Sequence, residues 1–463
     1  MRKTTLLPSR PCLGLALVCA LALVPLQARA AELTPQEGYT LIANLMSENK
    51  DDRRAAADEL IAADDVTLVP ALVDAYFYTP LLHRPEMTEV LTALTGEEHD
   101  SYYDWVEYVG GADIDVKDRY IEWKQLLLRR RDAEYEKVFY AGAPHKIRLE
   151  EIVSGGVPLD GIPSLDDVPL VPAKKAKYLK DDELVFGVEI DGDSRAYPHR
   201  FLSWHEMLND VVGGQPVTLS YCTLCGSGIL YAAESPSGER RTFGTSGLLY
   251  RSNKLMYDRD TYSLWSNITG EAVVGRAAGE NQRLRVLPMT LTTWEEWRSQ
   301  HPDTTALDID GVRKASPFAF DYVPGAADEA RKGVEFPVWQ KSDRLERNAE
   351  VFALDLNGAP KAYPVEKVTA AGLVHDELGG VGIVLVANPD SGAIRAYQSG
   401  GHTFEKADGD FQLVDETGAE WTVTEAALEP AGDGPSLPRL AHGHIAYWFG
   451  WYGFHPQTEV WEG

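Results

Sequence analysis

Val185-Phe186-Gly187-Val188-Glu189-Ile190-Asp191-Gly192, followed by Arg195-Ala196-Tyr197-Pro198, recurs as Val351-Phe352-Ala353-Leu354-Asp355-Leu356-Asn357-Gly358, followed by Lys361-Ala362-Tyr363-Pro364. The offset is 166 throughout, and it still holds at Asp210 and Asp376 and at Gly213-Gly214 and Gly379-Gly380. Each copy runs an apolar stretch into Asp-Gly or Asn-Gly and out again, the short-range signature of a β-hairpin. Carried on without a gap, the offset sets Val217–Tyr221 against Ile383–Ala387 and Tyr231 against Tyr397. The unit reads as hairpin, helix, hairpin, present twice.

Upstream the period changes. Between Thr34 and Tyr108 apolar residues return at spacings of three and four, with Asp51-Asp52 and Asp65 ahead of helical runs. Paired short helices of this kind are HEAT-like and expected to form a packing domain or a platform for a protein partner. A basic helical stretch, Lys117 to Arg131, leads to Ser154-Gly155-Gly156-Val157-Pro158-Leu159-Asp160-Gly161-Ile162-Pro163, where Gly and Pro forbid regular structure. The expected fold class is α+β: an all-α HEAT-like domain over 31–135, then a duplicated mainly-β domain over 136–463 with one helix per repeat. Repeat one covers about 183–300, repeat two about 349–430, and a strand segment closes the chain at 440–463.

The first thirty residues carry Arg2, Lys3 and Arg10, an apolar run from Leu13 to Val24, and Ala28-Arg29-Ala30. This reads as a cleaved secretory signal at 1–30, too short in its apolar part to span a membrane, and predicts a periplasmic or secreted protein with no membrane attachment after cleavage. The formal net charge of −27 repels nucleic acid and anionic lipid, and losing the signal's basic residues makes it more negative. Cys222 and Cys225 are the only cysteines outside the signal, so the chain is not a disulfide scaffold.

Two copies of one fold need the same core residues, so positions where only one copy keeps reactive groups point to function. At the offset of 166, Cys222 faces Asn388, Cys225 faces Ser391, His205 faces Ala371 and Glu206 faces Gly372, while His375 stands opposite Asn209. The Cys222-Thr223-Leu224-Cys225-Gly226 turn lies between two apolar β-runs. A redox Cys-x-x-Cys pair usually opens a helix whose dipole lowers the thiol pKa, whereas a strand–turn–strand pair resembles a metal knuckle. His205 to Asp210 reads as helical, with His205 and Asn209 one turn apart. Cys222, Cys225, His205 and Met256 are therefore the expected metal ligands, suiting copper or zinc. In the redox version Cys222 and Cys225 carry the chemistry, with His205 as proton carrier and Glu206 or Asp258 in support. The alternative is a non-catalytic periplasmic binding or assembly protein in which the pair is a structural disulfide. His442, His444, Trp448, Trp451 and His455 read as a packed final strand. No nucleophile elbow or paired-histidine motif marks a hydrolase.

The runs Gly155 to Pro163, Trp204 to Asp210, Tyr221 to Ser227 and Gly247 to Asp258 together resemble the bacterial and archaeal family catalogued as domain of unknown function 3179, over about Lys146 to the C-terminus. The resemblance implies a shared fold and no settled reaction. Where the family usually has proline, this chain has Thr223.

Overall fold

The computed structural model describes Met1 and residues 33–316, 322–331, 335–409 and 411–463. The segment read as a signal, apart from Met1, lies outside the described residues. The rest forms a mixed α+β fold: helices over 35–138, then β-sheets with few helices.

Helices span Pro35–Leu45, Lys50–Ala63, Val69–Tyr78, Arg84–Thr95, Tyr102–Gly111 and Tyr120–Leu128. Their starts are chemically marked. Thr34 and Glu37 form a reciprocal capping box ahead of Pro35, and Ser101 and Asp104 form another. The basic stretch is helical only from Tyr120, because Arg119 takes a left-handed backbone at φ 63° and resets the chain direction. The apolar stripes of these helices share one continuous core with Leu248, Leu249, Tyr250, Leu255 and Tyr257 of the β-region. The helical region is thus one face of a layered body, packed on the sheet that contains Phe243–Tyr250 and Asn253–Asp258.

The hairpins fall where the turn chemistry places them. Leu184–Ile190 pairs with Asp193–Pro198 around Asp191 and Gly192, which sit at φ 49° and 79°. Glu350–Leu356 pairs with Ala359–Pro364 around Asn357 and Gly358 at φ 57° and 78°. Positive φ at both central residues makes the tight turn whose twist matches that of the strands, and Asp-Gly and Asn-Gly tolerate it best. A helix follows each hairpin, His199–His205 and Val365–Ala371.

The expected helix over His205–Asp210 is not formed. The helix ends at His205, Glu206 turns left-handed at φ 59°, and Met207–Val212 is a strand paired with Gln215–Cys222. Almost every residue of that strand is buried on both faces, so no alternation survives in the sequence to separate it from a helix. The C-terminal expectation changes likewise: a strand, His444–Tyr447, gives way to a helix, Trp448–Tyr452, that carries both tryptophans.

Candidate functional site: a buried dithiol beside a buried lysine

The cysteine turn joins two strands of one sheet, Gln215–Cys222 and Ser227–Ala232, with Cys222 paired to Ser227. The Cys225 N–H donates to the Cys222 carbonyl at 3.2 Å, and Gly226 continues at φ 60°. Glycine is needed there twice over: the backbone is left-handed, and a Cβ would lie 3.1 Å from the Tyr447 ring. Both cysteines are buried and neither is in a disulfide.

Each sulfur has its own surroundings. Cys225 Sγ lies 3.1 Å from the Ser252 carbonyl, a contact that is favourable only for a protonated thiol. That carbonyl is delivered by a tight turn in which Arg251 and Ser252, neither a glycine, both adopt left-handed backbone at φ 50° and 59°. Such positions cost on the order of 1–3 kcal/mol each and persist only where surrounding contacts enforce them. Here the Arg251 guanidinium donates to Glu151 at 2.8 Å and to the Gly453 carbonyl at 2.9 Å. Behind Cys225 lies Gly450, where a Cβ would come within 2.8 Å of the cysteine's own Cβ and 3.2 Å of its sulfur.

Cys222 faces charge instead. Lys254 is 3 % exposed, and its ammonium donates to the Glu206 carbonyl at 2.6 Å and the Tyr221 carbonyl at 2.9 Å, with Met207 Sδ at 3.2 Å. Burial pushes Lys254 down to about 8, with Glu206 and Cys222 holding it from falling further. Burial pushes the Cys222 thiol up and Glu206 adds to that, but the hydrogen bonds from Cys225 and from the Lys254 backbone N–H, followed by the charge of the Lys254 ammonium, outweigh both, and the net direction is down. Burial, then the hydrogen bond and charge of Cys222, push Cys225 well up. The pair therefore separates into an anion-stabilised sulfur and a proton-holding one.

Glu206 belongs to this group through its backbone and its side chain. Its left-handed turn aims its carbonyl at Lys254, and Thr223 Oγ1 donates to its Oε1 at 3.2 Å. A proline at position 223 would have no such donor. His205 is fully buried: Nδ1 lies 2.7 Å from the Pro163 carbonyl and Nε2 2.7 Å from the Tyr322 hydroxyl, and burial lowers its pKa. Met256 packs in a separate apolar cluster with Met207, Tyr231 and Trp265. Asp258 spends its oxygens on Thr261 and on Trp265 Nε1. Among the described residues no group of three or more His, Cys, Asp or Glu is gathered for a metal. The residues present offer two sulfurs, enough for a two-coordinate soft ion and short of a closed four-ligand zinc site.

Lys254 is the participant that sequence reasoning missed. Its signal was a lone lysine in Asn253-Lys254-Leu255-Met256-Tyr257, a strand with no exposed position for it. A cavity of about 250 Å³ adjoins the group, lined by Glu206, Lys254, Leu224, Thr245, Leu249 and Phe336 among others.

The region that builds this site, residues 159–458, matches the family model described as "Protein of unknown function (DUF3179)". The chain belongs to the DUF3179 family. No curated protein and no solved structure matches it. The DUF3179 region covers the cysteine turn, Glu206 and Lys254 together, whereas the helices over 35–138 precede it.

Proposed function

We propose that this protein is an exported thiol–disulfide oxidoreductase, with Cys222 as attacking thiolate and Cys225 as the resolving thiol. The observation that carries the reading is the unequal pair: Cys222 is stabilised as an anion by Cys225 and the buried Lys254, while Cys225 keeps its proton beside the Ser252 carbonyl. A thiolate is the nucleophile in exchange, and a lowered pKa raises its fraction at neutral pH. Cys222 attacks one sulfur of a disulfide R–S–S–R, forming Cys222–S–S–R and releasing RS⁻. Cys225 then attacks the Cys222 sulfur, its proton goes to the departing sulfur, which leaves as RSH, and the first RS⁻ takes up the proton that Cys222 lost on ionising. The sum is R–S–S–R plus two thiols giving the Cys222–Cys225 disulfide plus two RSH. Lys254 holds the charge on Cys222 and on the developing thiolate; Glu206, tied to the turn by Thr223, sets the position of Lys254. His205 acts as a positioning residue that pins the Pro163 segment.

The test is the pH profile of alkylation of reduced protein by iodoacetamide, with each cysteine read by mass spectrometry. Cys222 should react with a midpoint below the ordinary thiol value of about 8.5 and Cys225 should lag far behind. An ordinary midpoint, or equal rates, overturns the assignment.

A second reading is favoured by the strand–turn–strand setting of the pair: Cys222 and Cys225 would hold a soft metal such as copper(I). It requires metal to co-purify with wild type and to be lost in Cys222→Ser/Cys225→Ser. A zinc site needs further donors beyond the two sulfurs.

Two finer features of the fold belong with this reading. The interpretation of the β-region as a duplication is supported by strands of the same length 166 residues apart, with matching pairing registers and burial patterns. It is supported again by Trp297 and Trp451, whose indole N–H groups donate to Thr304 and Thr458 at 2.9 Å. The HEAT-like platform for a protein partner is supported by adjacent exposed leucines, Leu81 and Leu82.

A further inference from the structure

We propose that residues 335–341 form a strap that gates the dithiol: it closes the helical side of the cysteine turn, and its release from the helices is the motion that lets a disulfide reach Cys222. The gate rests on the oxidoreductase reading for its purpose, but the release of the strap can be measured without any thiol chemistry.

The need for a motion comes from burial. Cys222 is 1 % and Cys225 0 % exposed, so the closed form offers neither sulfur to a disulfide of any size. Exchange begins with contact between a thiolate and a disulfide sulfur, so a neighbour has to move away.

The neighbours differ in what holds them. On one side Cys225 abuts Gly450 in the helix Trp448–Tyr452, whose two tryptophans are buried. The strand before that helix, His444–Tyr447, is laddered to Glu350–Leu356, and the Tyr447 N–H donates to the Cys225 carbonyl at 2.7 Å. That side is fixed by core packing and backbone pairing. On the other side Leu224 of the turn lines the cavity of about 250 Å³ with Glu206 and Lys254, and Phe336 of the strap completes the lining.

The strap has no backbone fixture. Residues 335–341 belong to no helix or strand, and among the described residues no backbone-to-backbone hydrogen bond ties them to the rest. Val338 is buried, and the remaining attachments are made through side chains. Phe336 packs on Tyr103 with ring centroids 5.5 Å apart. Glu107 accepts from the Val338 N–H at 3.2 Å and from the Lys341 ammonium. Trp339 Nε1 donates to Glu151 at 2.8 Å, and its ring rests against Gly110, where a Cβ would fall 2.3 Å away. Arg251 covers that ring at 5.3 Å. Just past the strap the Ser342 carbonyl accepts from Trp448 Nε1 at 3.3 Å, which fixes the hinge end. Two carboxylates of the helical side, Glu107 and Glu151, thus act as the latch. A segment held in this way opens at a lower cost than the sheets around it, as lids commonly do.

The experiment uses the full mature chain in its reduced form. Alkylation of Cys222 by iodoacetamide is followed by mass spectrometry in wild type, Glu107→Ala and Gly110→Ala, with Ile42→Val as a variant weakened in the helical core and away from the strap. Glu107→Ala cuts the latch and Gly110→Ala pushes Trp339 off its seat. Each should speed Cys222 modification by about tenfold, equivalent to ~1.4 kcal/mol taken from the closed form, with the pH midpoint left where it is in wild type. Unchanged rates in both variants overturn the gate. So does an equal acceleration in Ile42→Val, which makes global unfolding the route to the sulfurs. A second arm follows hydrogen exchange of the Trp339 indole N–H by NMR, against those of Trp297 and Trp451, which donate to Thr304 and Thr458 at 2.9 Å. The Trp339 proton should exchange at least about tenfold faster, and faster still in Glu107→Ala. Equal protection of the three refutes the gate whatever the thiols do. Fast release of the strap with an ordinary Cys222 midpoint keeps the gate and sinks only the oxidoreductase reading.

Discussion

Replacing Lys254 by Met puts two opposed terms in competition, and pH separates them. Burial lowers the Lys254 pKa from 10.5 to about 8, which corresponds to ~3 kcal/mol of destabilisation wherever the lysine is charged in both states. Met removes that penalty. It also strips the donor from the Glu206 and Tyr221 carbonyls, bonded at 2.6 and 2.9 Å, and each abandoned acceptor costs about 1–3 kcal/mol. Near neutral pH the two nearly cancel, so a single stability measurement there carries little information. The slope is decisive. Below about 8 the lysine is protonated folded and unfolded alike, and the penalty is fully present. Between about 8 and 10.5 the unfolded chain binds the proton that the folded chain has released, so wild-type stability rises with pH, by up to ~3 kcal/mol across the interval. The variant lacks this contribution. Urea unfolding of both proteins at pH 7.5, 8.5 and 9.5 should therefore give a gap that moves in favour of wild type as pH rises, with the background from other groups removed by subtraction. Parallel profiles refute the assignment of Lys254 as the buried cation of the site.

Gly450→Ala should destabilise the reduced protein by about 1–3 kcal/mol in urea titration, because the new Cβ must push into the Cys225 side chain at 2.8 Å. Glu296→Gln should cost about 3–5 kcal/mol, since it leaves buried Arg395, bonded to Glu296 at 2.9 Å and to Glu425 at 2.8 Å, short of one counter-charge; calorimetry showing a loss below about 1 kcal/mol contradicts this. Thr223→Pro removes the donor to Glu206 Oε1 while stiffening the turn. It should shift stability by no more than about 1 kcal/mol and leave the Cys222 alkylation midpoint within a few tenths of wild type.

The turns were legible because their chemistry is local. Asp191-Gly192, Asn357-Gly358 and the two Gly-Gly pairs each dictate a backbone that few other residues adopt, and each hairpin forms there. The sequence comparison at an offset of 166 likewise singled out Cys222 and Cys225, in the segment that lies beside a buried cation and a cavity. The rest was hidden by distance or by burial. Met207–Val212 is enclosed on both faces and therefore lost the alternation that distinguishes a strand. Lys254 owes its role to carbonyls 33 and 48 residues away in the chain, which no spacing rule reveals. Phe336 reaches the cavity only because Glu107, Gly110 and Glu151 hold its neighbours. At the positions 166 residues further on, Asn388 and Ser391 stand in place of the thiols, and both donate to Glu296. Gly450 stands beside Cys225 with no side chain to play that part.

The left-handed pair Arg251-Ser252 links oxidation state to tension in the backbone. As long as Cys225 carries its one proton, shared between Cys222 and the Ser252 carbonyl 3.1 Å away, the cramped turn has a local compensation. A disulfide has no proton to give. Closing the Cys222–Cys225 bond would remove that compensation and leave the turn to the pairing of its flanking strands and to Arg251, which donates to Glu151, Gln340 and the Gly453 carbonyl. Glu151 is also the acceptor for Trp339, so the load passes to the clamp that fixes the cavity wall. Two electrons withdrawn at the sulfurs would thus be felt as a mechanical change at the seam between the helices and the sheets, where backbone hydrogen exchange at residues 251–253 would register it.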